Sequence, residues 1–318
     1  MLMVILKEIG VLITMNYDLI ILGAGTAGLT ASIYAACSGL KVLCIENQTC
    51  GGQIVNTSDI INYPGFKNIS GLDFSQKLQS QAIDLGVDIK NEQICKIDLE
   101  QKNKTIITDN NEYNSKAVII ATGTRRRELG CKDEELFRGR GVTYCATCDG
   151  RFFKNKVVGV VGGGNTAVED AIYLSNMCKH VYVIHRRNTF RASERSVKLM
   201  KQRKNITLKL NSIVDSIEGK NLMENVILTD TITNEKTNLP LNGLFIAVGL
   251  IPNSREFSKW VDLDEQGYIV AREDCETKTC GVFVAGDVRT KKIRQLVTAA
   301  SDGSIAALAS AEYINHIN

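Results

Sequence analysis

Cys145 and Cys148 stand three residues apart, and Asp149 follows directly. On a helical turn, side chains at i and i+3 have Cβ atoms about 5–6 Å apart. A modest adjustment reaches the roughly 3.8 Å Cβ separation of a disulfide. Closely spaced pairs of this kind cycle readily, because the thiolate of one member is stabilised and can attack. A carboxyl beside a dithiol can give or take the proton that thiol–disulfide exchange requires. Cys145, Cys148 and Asp149 are therefore the candidate catalytic residues of a redox centre. Zinc would need two more ligands. No second C-x-x-C occurs, Cys275 and Cys280 are too widely spaced for a knuckle, and the chain has only three histidines. No metal site is expected.

Two segments of the chain repeat one pattern. Residues 18–46 read DLIILGAGTAGLTASIYAACSGLKVLCIE, and residues 157–185 read VVGVVGGGNTAVEDAIYLSNMCKHVYVIH. Each has a short apolar β-type run, a glycine turn, a helical stretch and a second β-type run. Both are βαβ units, so parallel strands and an α/β fold follow. The first turn is Gly23-x-Gly25-x-x-Gly28. Gly23 permits the tight turn, Gly25 lets a pyrophosphate approach the backbone, and Gly28 lets the helix pack on the strand. The helix N-terminus then faces the phosphates. Glu46 ends the second strand, where a carboxylate accepts from ribose hydroxyls and repels a 2′-phosphate. This site should hold an unphosphorylated ADP half, from FAD or NAD.

The second turn is Gly162-x-Gly164-x-x-Ala167. His185 lies 23 residues after Gly162, as Glu46 lies 23 after Gly23, but Arg186 and Arg187 follow it, with Arg191 close behind. The charge at this position is reversed. Guanidinium groups there can grip a 2′-phosphate by charge-assisted forks, so this site should prefer NADPH to NADH. One chain with an FAD-type site and an NADPH-type site is a hydride-handling flavoprotein. Two weaker signals agree. The run TCGVFVAGD ends an apolar strand in Gly286-Asp287, where an acid can bond the ribityl hydroxyls of a flavin. The run VIIATG, residues 118–123, suits a chain passing beside a dinucleotide.

The elements that carry these motifs need a large core, and the chain has one. It contains 318 residues, 44% hydrophobic and 23% charged. At roughly 150 residues per domain, two domains are expected. The net charge is 38 − 35 = +3, too small for a nucleic-acid binder held by phosphate contacts. No apolar run reaches the roughly 20 residues that span a bilayer, so no membrane is expected. Ten cysteines in a chain this long do not make a disulfide scaffold. A reducing, cytoplasmic compartment with most thiols unbonded is expected, the eight cysteines outside the pair acting as small buried apolar residues. Residues 1–15 are apolar but carry Lys7 and Glu8 in the middle. That is not a secretory signal, and an N-terminal extension is the expectation.

The chain closely resembles the low-molecular-weight, bacterial-type thioredoxin reductases. The matching segments are GAGTAG, GGQ (Gly51–Gln53), YCATCDG, GGGNTAVEDA, HRRNTFRA, FIAVGLIPN and VFVAGDVRTKKIRQLVTAASDG, in family order from Tyr17 to the end. The resemblance implies two Rossmann-like dinucleotide-binding domains, the NADPH domain inserted into the FAD domain. That is the class II pyridine nucleotide-disulfide oxidoreductase architecture. The expected boundaries are 16–123 and 250–318 for FAD and 124–249 for NADPH with the redox pair. The family's flavin contacts fall on Gly23, Gly25, Gly28, Glu46, Gly51, Gly52, Gln53, Gly286, Asp287, Arg294 and Gln295. Its NADPH contacts fall on Gly162, Gly164, Asn165, Thr166, Arg186, Arg187 and Arg191, and its acid matches Asp149. A homodimer is implied. The glutathione-reductase arrangement does not fit: its C-x-x-x-x-C is missing, since Cys44 and Cys50 are six apart, and the chain is too short for its third domain.

The implied reaction is thioredoxin reduction: hydride from NADPH to FAD, electrons on to the Cys145–Cys148 disulfide, then dithiol exchange with thioredoxin. The resemblance also implies a rotation of the inserted domain, with Gly123 and Gly249 at the crossovers absorbing the dihedral change. The alternatives are a flavoprotein of this architecture fed by ferredoxin, and one acting on another disulfide.

Overall fold

The computed structural model describes residues 14–57 and 59–317. Most of the expected N-terminal extension, residues 1–13, lies outside the described residues, while Thr14 and Met15 open the first strand. The chain forms two compact units. One contains residues up to Arg125 and from Ile251 onward, and the other spans Arg126–Leu250.

The first unit starts with β1 (Thr14–Leu22), α1 (Thr26–Cys37) and β2 (Val42–Glu46). It continues with α2 (Gly71–Asp84), β3 (Asp88–Asn91), β4 (Ile94–Asp98), β5 (Lys104–Thr108) and β6 (Glu112–Ile120). The sheet order is β3-β2-β1-β6-β5-β4, with the strand Val282–Val284 also paired to β6. β1 runs parallel to both β2 and β6, and Leu19–Leu22 have no exposed surface. A parallel strand covered on both faces reads as an unbroken apolar run, which is why LIIL shows no alternation. The period of two survives in where the side chains go. Leu19 and Ile21 pack with α1 and the closing helix Leu296–Ile317. Ile20 and Leu22 pack on the other face with Tyr113, Phe257 and Ile269.

Nine residues of α1 are buried, so the helix is apolar nearly all round. Its inward hydroxyls bond back one turn, Thr30 Oγ1 to the Thr26 carbonyl at 2.7 Å and Ser32 Oγ to the Gly28 carbonyl at 2.8 Å. Those bonds remove the cost of burying them. The closing helix lies against α1 at Gly303, where any Cβ would collide with the Ala27 carbonyl.

The second unit holds β7 (Val142–Thr143), α3 (Ala146–Asp149), β8 (Val157–Val161), α4 (Asn165–Ser175), β9 (His180–His185), α5 (Glu194–Lys201) and β10 (Ile206–Leu210). It ends with β11 (Ser212–Gly219), β12 (Met223–Asp230), β13 (Lys236–Pro240) and β14 (Gly243–Ile246). The parallel sheet has the order β10-β9-β8-β14-β7. Val158 and Val160 of β8, with Val181 and Val183 of β9, pack on α4. Val161, Ile184, Leu244 and Ile246 face the antiparallel sheet β11-β12-β13. Both units are thus Rossmann-like, each with a glycine turn leaving its central parallel strand. Among the described residues, no helix is long and apolar enough to cross a membrane.

Candidate active site

In the first unit the glycine turn leaves β1 at Gly23, whose φ of 104° suits only glycine, and whose Cβ would lie 2.6 Å from the Ala121 carbonyl oxygen. Gly28 meets the Gly23 carbonyl so closely that no side chain fits. Gly25 caps α1, and a Cβ there would meet nothing within 4 Å. The turn is therefore tight on its inner side and open at Gly25, the side on which a phosphate approaches a helix N-terminus. Gly51 and Gly52 have φ of 107° and 66°, and their loop bridges back to Gly25. Glu46 is held by three backbone N–H groups. Oε2 accepts from Ala24 at 2.9 Å, and Oε1 accepts from Asn47 and Gln48, both at 2.9 Å. Gln53 donates from Nε2 to the carbonyl of buried Thr124.

Gly286 and Asp287 follow the strand Val282–Val284 and return to the same turn, a Cβ on Gly286 falling 2.8 Å from the Ala27 Cβ. Asp287 Oδ1 is buried with no hydrogen-bond partner among the described residues. Burial pushes this carboxyl up, while Lys291 and Arg294 draw it down. Arg294 lies over the Tyr268 ring at 4.0 Å and donates from Nε to the Asp287 carbonyl at 3.3 Å. Gln295 accepts from Asn62 at 3.3 Å. The open turn, the fixed Glu46 and the unpartnered acceptor of Asp287 fit a dinucleotide whose polyhydroxyl chain reaches Asp287. All eleven candidate flavin residues lie in this unit.

In the second unit the turn leaves β8 at Gly162, where a Cβ would strike the Ala247 carbonyl. Gly164 caps α4 and is open, as Gly25 is. Asn165 and Thr166 form the first turn of α4, and Asn165 Oδ1 accepts the Ser193 N–H at 2.9 Å. His185 occupies the place that Glu46 has in the first unit, but the residue is 6% exposed and its ring lies against Gly163. It stacks on Phe190 and bonds the Thr189 carbonyl at 3.0 Å. Burial, helped by three neighbouring arginines, holds it below the usual histidine range. The exposed charges are Arg186, Arg187 and Arg191, none with an ion pair among the described residues. The Arg191 N–H bonds the Gly163 carbonyl at 2.8 Å, which brings the far end of the arginine group to the turn. The cations beside this turn are uncommitted among the described residues, an arrangement whose chemistry suits an anion.

Cys145 and Cys148 are joined by a disulfide, their Cα atoms 5.3 Å apart. Cys145 caps α3, its sulfur accepting the Cys148 N–H at 3.2 Å. Thr143 Oγ1 donates to Asp149 Oδ2 and accepts the Cys145 N–H at 3.3 Å. Sequence reasoning missed Thr143, although it lies only two residues before the pair. α3 packs on α4, because Gly150 leaves room for Leu174 and Tyr173. The redox pair and the arginine-flanked turn thus share one helix as their support.

The other eight cysteines are unbonded. The expectation that they are buried holds for Cys44, Cys178 and Cys275, while Cys37, Cys95 and Cys280 are exposed. Burial pushes the Cys44 thiol up to about 12, and those of Cys178 and Cys275 up to about 11. Thiols held that high are poor nucleophiles.

Comparison with known proteins agrees with this arrangement. Residues 17–303 match the pyridine nucleotide-disulphide oxidoreductase family. A thioredoxin reductase of Peptoclostridium acidaminophilum is 39% identical over 305 residues, covering 94% of this chain and 97% of the relative. That of Bacillus subtilis is 39% identical over 302 residues, covering 95% and 96%. The crystal structure of thioredoxin reductase from Streptococcus pyogenes matches with a TM-score of 0.89 at 38% identity, over 95% of this chain and 99% of that one. The chain belongs to the pyridine nucleotide-disulphide oxidoreductase family, among its thioredoxin reductases of the low-molecular-weight bacterial type.

Proposed function

We propose that this protein is an NADPH-dependent thioredoxin reductase with FAD as its resident cofactor. The observation that carries the reading is the Cys145–Cys148 disulfide, with Asp149 beside it, packed on the helix whose glycine turn is flanked by three arginines with no ion pair among the described residues. When bound, FAD relays a hydride's two electrons between a nicotinamide and a disulfide. Glu46 binds ribose hydroxyls, Gly25 and the α1 N-terminus take the pyrophosphate, and Asp287 Oδ1 accepts from the ribityl chain. Arg186, Arg187 and Arg191 bind the 2′-phosphate that distinguishes NADPH from NADH.

Two electrons break the S–S bond and leave a dithiol. One thiolate of the pair attacks the thioredoxin disulfide and forms a mixed disulfide. The second then attacks that bond, restoring Cys145–Cys148 and releasing reduced thioredoxin. Asp149 gives and takes the protons of these steps at Oδ1, the oxygen that Thr143 leaves open. The free thiols elsewhere support a reducing, cytoplasmic setting. A homodimer belongs to the same reading, and sedimentation at twice the chain mass tests it.

The direct assay is NADPH consumption with oxidised thioredoxin. Consumption that requires thioredoxin, and that Cys148→Ser abolishes, is expected. Consumption unaffected by that substitution would overturn the reading.

A further inference from the structure

Behind Asp287 lies a buried ion cluster that the proposed mechanism does not use. Asp302, on the closing helix, is 7% exposed. Its Oδ2 accepts the Gly286 N–H at 3.1 Å and the Lys291 ammonium at 2.8 Å. Its Oδ1 faces Arg289 Nη1 at 3.3 Å. The Arg289 and Lys291 side chains are only 11% and 12% exposed. Arg289 is further held by the Arg272 carbonyl at 2.8 Å and the Cys275 sulfur at 3.2 Å, and Lys291 by the Thr298 carbonyl at 3.2 Å. Arg294, which with Lys291 acts on the Asp287 charge, is occupied by the Tyr268 ring and by the carbonyls of Asp287 and Arg289.

A buried charge triad is weak evidence for stability, since desolvation offsets most of the attraction. Its geometry here has another consequence. The two cations that act on the Asp287 charge, Lys291 and Arg294, already bond groups other than its carboxylate, and among the described residues Asp287 Oδ1 is left as a bare acceptor. We infer that Asp302 is a positioning residue for the flavin-binding carboxylate: it fixes Gly286 through the backbone N–H and keeps Lys291 off Asp287. This rests on the reading of Asp287 as the ribityl acceptor. With Asp302 neutral, the buried Lys291 ammonium has one unpartnered carboxylate oxygen to turn to. That contact would occupy the acceptor the flavin needs.

The test is the rate at which purified holoenzyme releases FAD into a fixed concentration of chaotrope, read by flavin fluorescence. Asp302→Asn keeps an oxygen for the Gly286 N–H but removes the charge. It is expected to release FAD about ten-fold faster, the worth of one hydrogen bond to a charged group. Adding Lys291→Met removes the displaced cation and should restore release to near the wild-type rate. A simple loss of packing would not be repaired that way. Release from Asp302→Asn at the wild-type rate would overturn the inference, as would a double variant as fast as the single one. If Asp302→Asn yields no flavin-loaded protein, the double variant must yield it, and an equally empty double variant contradicts the account. Asp287→Ala, which removes the acceptor, separates the two layers: wild-type FAD release there would remove the ribityl reading itself.

Discussion

The hydroxyl of Thr143 is hydrogen-bonded to Asp149 and, on its other side, accepts the N–H of Cys145. One small side chain thus ties the acid to the first cysteine of the redox pair. Thr143→Val keeps the shape and removes both bonds. A hydrogen bond to a charged group contributes about 1.5–3 kcal/mol, so thioredoxin reduction should slow about ten-fold or more. Flavin reduction by NADPH, which precedes the dithiol step, should be unchanged. Steady-state turnover alongside stopped-flow flavin absorbance checks both. Equal slowing of the two steps would mean that Thr143 acts on the fold and not on Asp149.

The arginines after β9 are exposed and uncommitted, so their worth lies in the ligand they meet. Arg186→Ala with Arg187→Ala should raise KM for NADPH about 10- to 100-fold and leave that for NADH unchanged. High salt should narrow the wild-type preference, because exposed charges are screened. A matching rise for NADH would show that the arginines support the unit and do not read the 2′-phosphate.

Adjacent glycines of the second turn should separate stability from binding. At Gly163 a Cβ would strike the His185 ring, which Phe190 and Thr189 hold in place. Gly163→Ala should cost about 1–3 kcal/mol and lower Tm accordingly. At Gly164 the Cβ would point into open space. Gly164→Ala should leave Tm nearly unchanged yet weaken NADPH binding, because the methyl enters the phosphate path. Calorimetry and nucleotide titration of both variants would show whether the split exists.

What was legible in the sequence is what spacing alone encodes. Gly23-x-Gly25-x-x-Gly28 with Glu46, and Gly162-x-Gly164 with Arg186 and Arg187, are local patterns, and each turn does leave a parallel strand and cap a helix as its spacing predicts. The Cys145–Cys148 pair is equally local. His185 is a partial exception. In the sequence it groups with the arginines, but β9 ends with this ring turned inward against Gly163, leaving the charges to its neighbours. Partners far apart in the chain were not legible. Asp302 lies 16 residues beyond Gly286, and their bond exists only because the closing helix packs on α1 at Gly303. Tyr268 lies under Arg294 for a similar reason. The antiparallel layer β11-β12-β13 carries no motif, and its role as cover for Val161 and Ile184 shows only in the packed core.

Asp170, on α4, should make stability depend on pH. Burial, with Glu169 beside it, pushes its carboxyl up to about 7 from an ordinary value of 3.8. The folded state therefore holds this proton more tightly than the unfolded chain does. The contribution is fully present below the unfolded pKa and is lost as pH rises through about 7. Asp170→Asn removes that loss. Its Tm should exceed the wild-type value at pH 8 by several degrees, with the gap closing toward pH 4. A constant gap at all pH values would contradict the assignment.

The most direct test of the central claim is anaerobic mixing of the purified, flavin-loaded protein with NADPH, and separately with NADH, followed by oxidised thioredoxin. The account predicts that the flavin absorbance bleaches much faster with NADPH and returns on adding thioredoxin, and that Cys145→Ser bleaches but does not return. Failure to bleach with either nucleotide would contradict it, and would point to a donor such as ferredoxin.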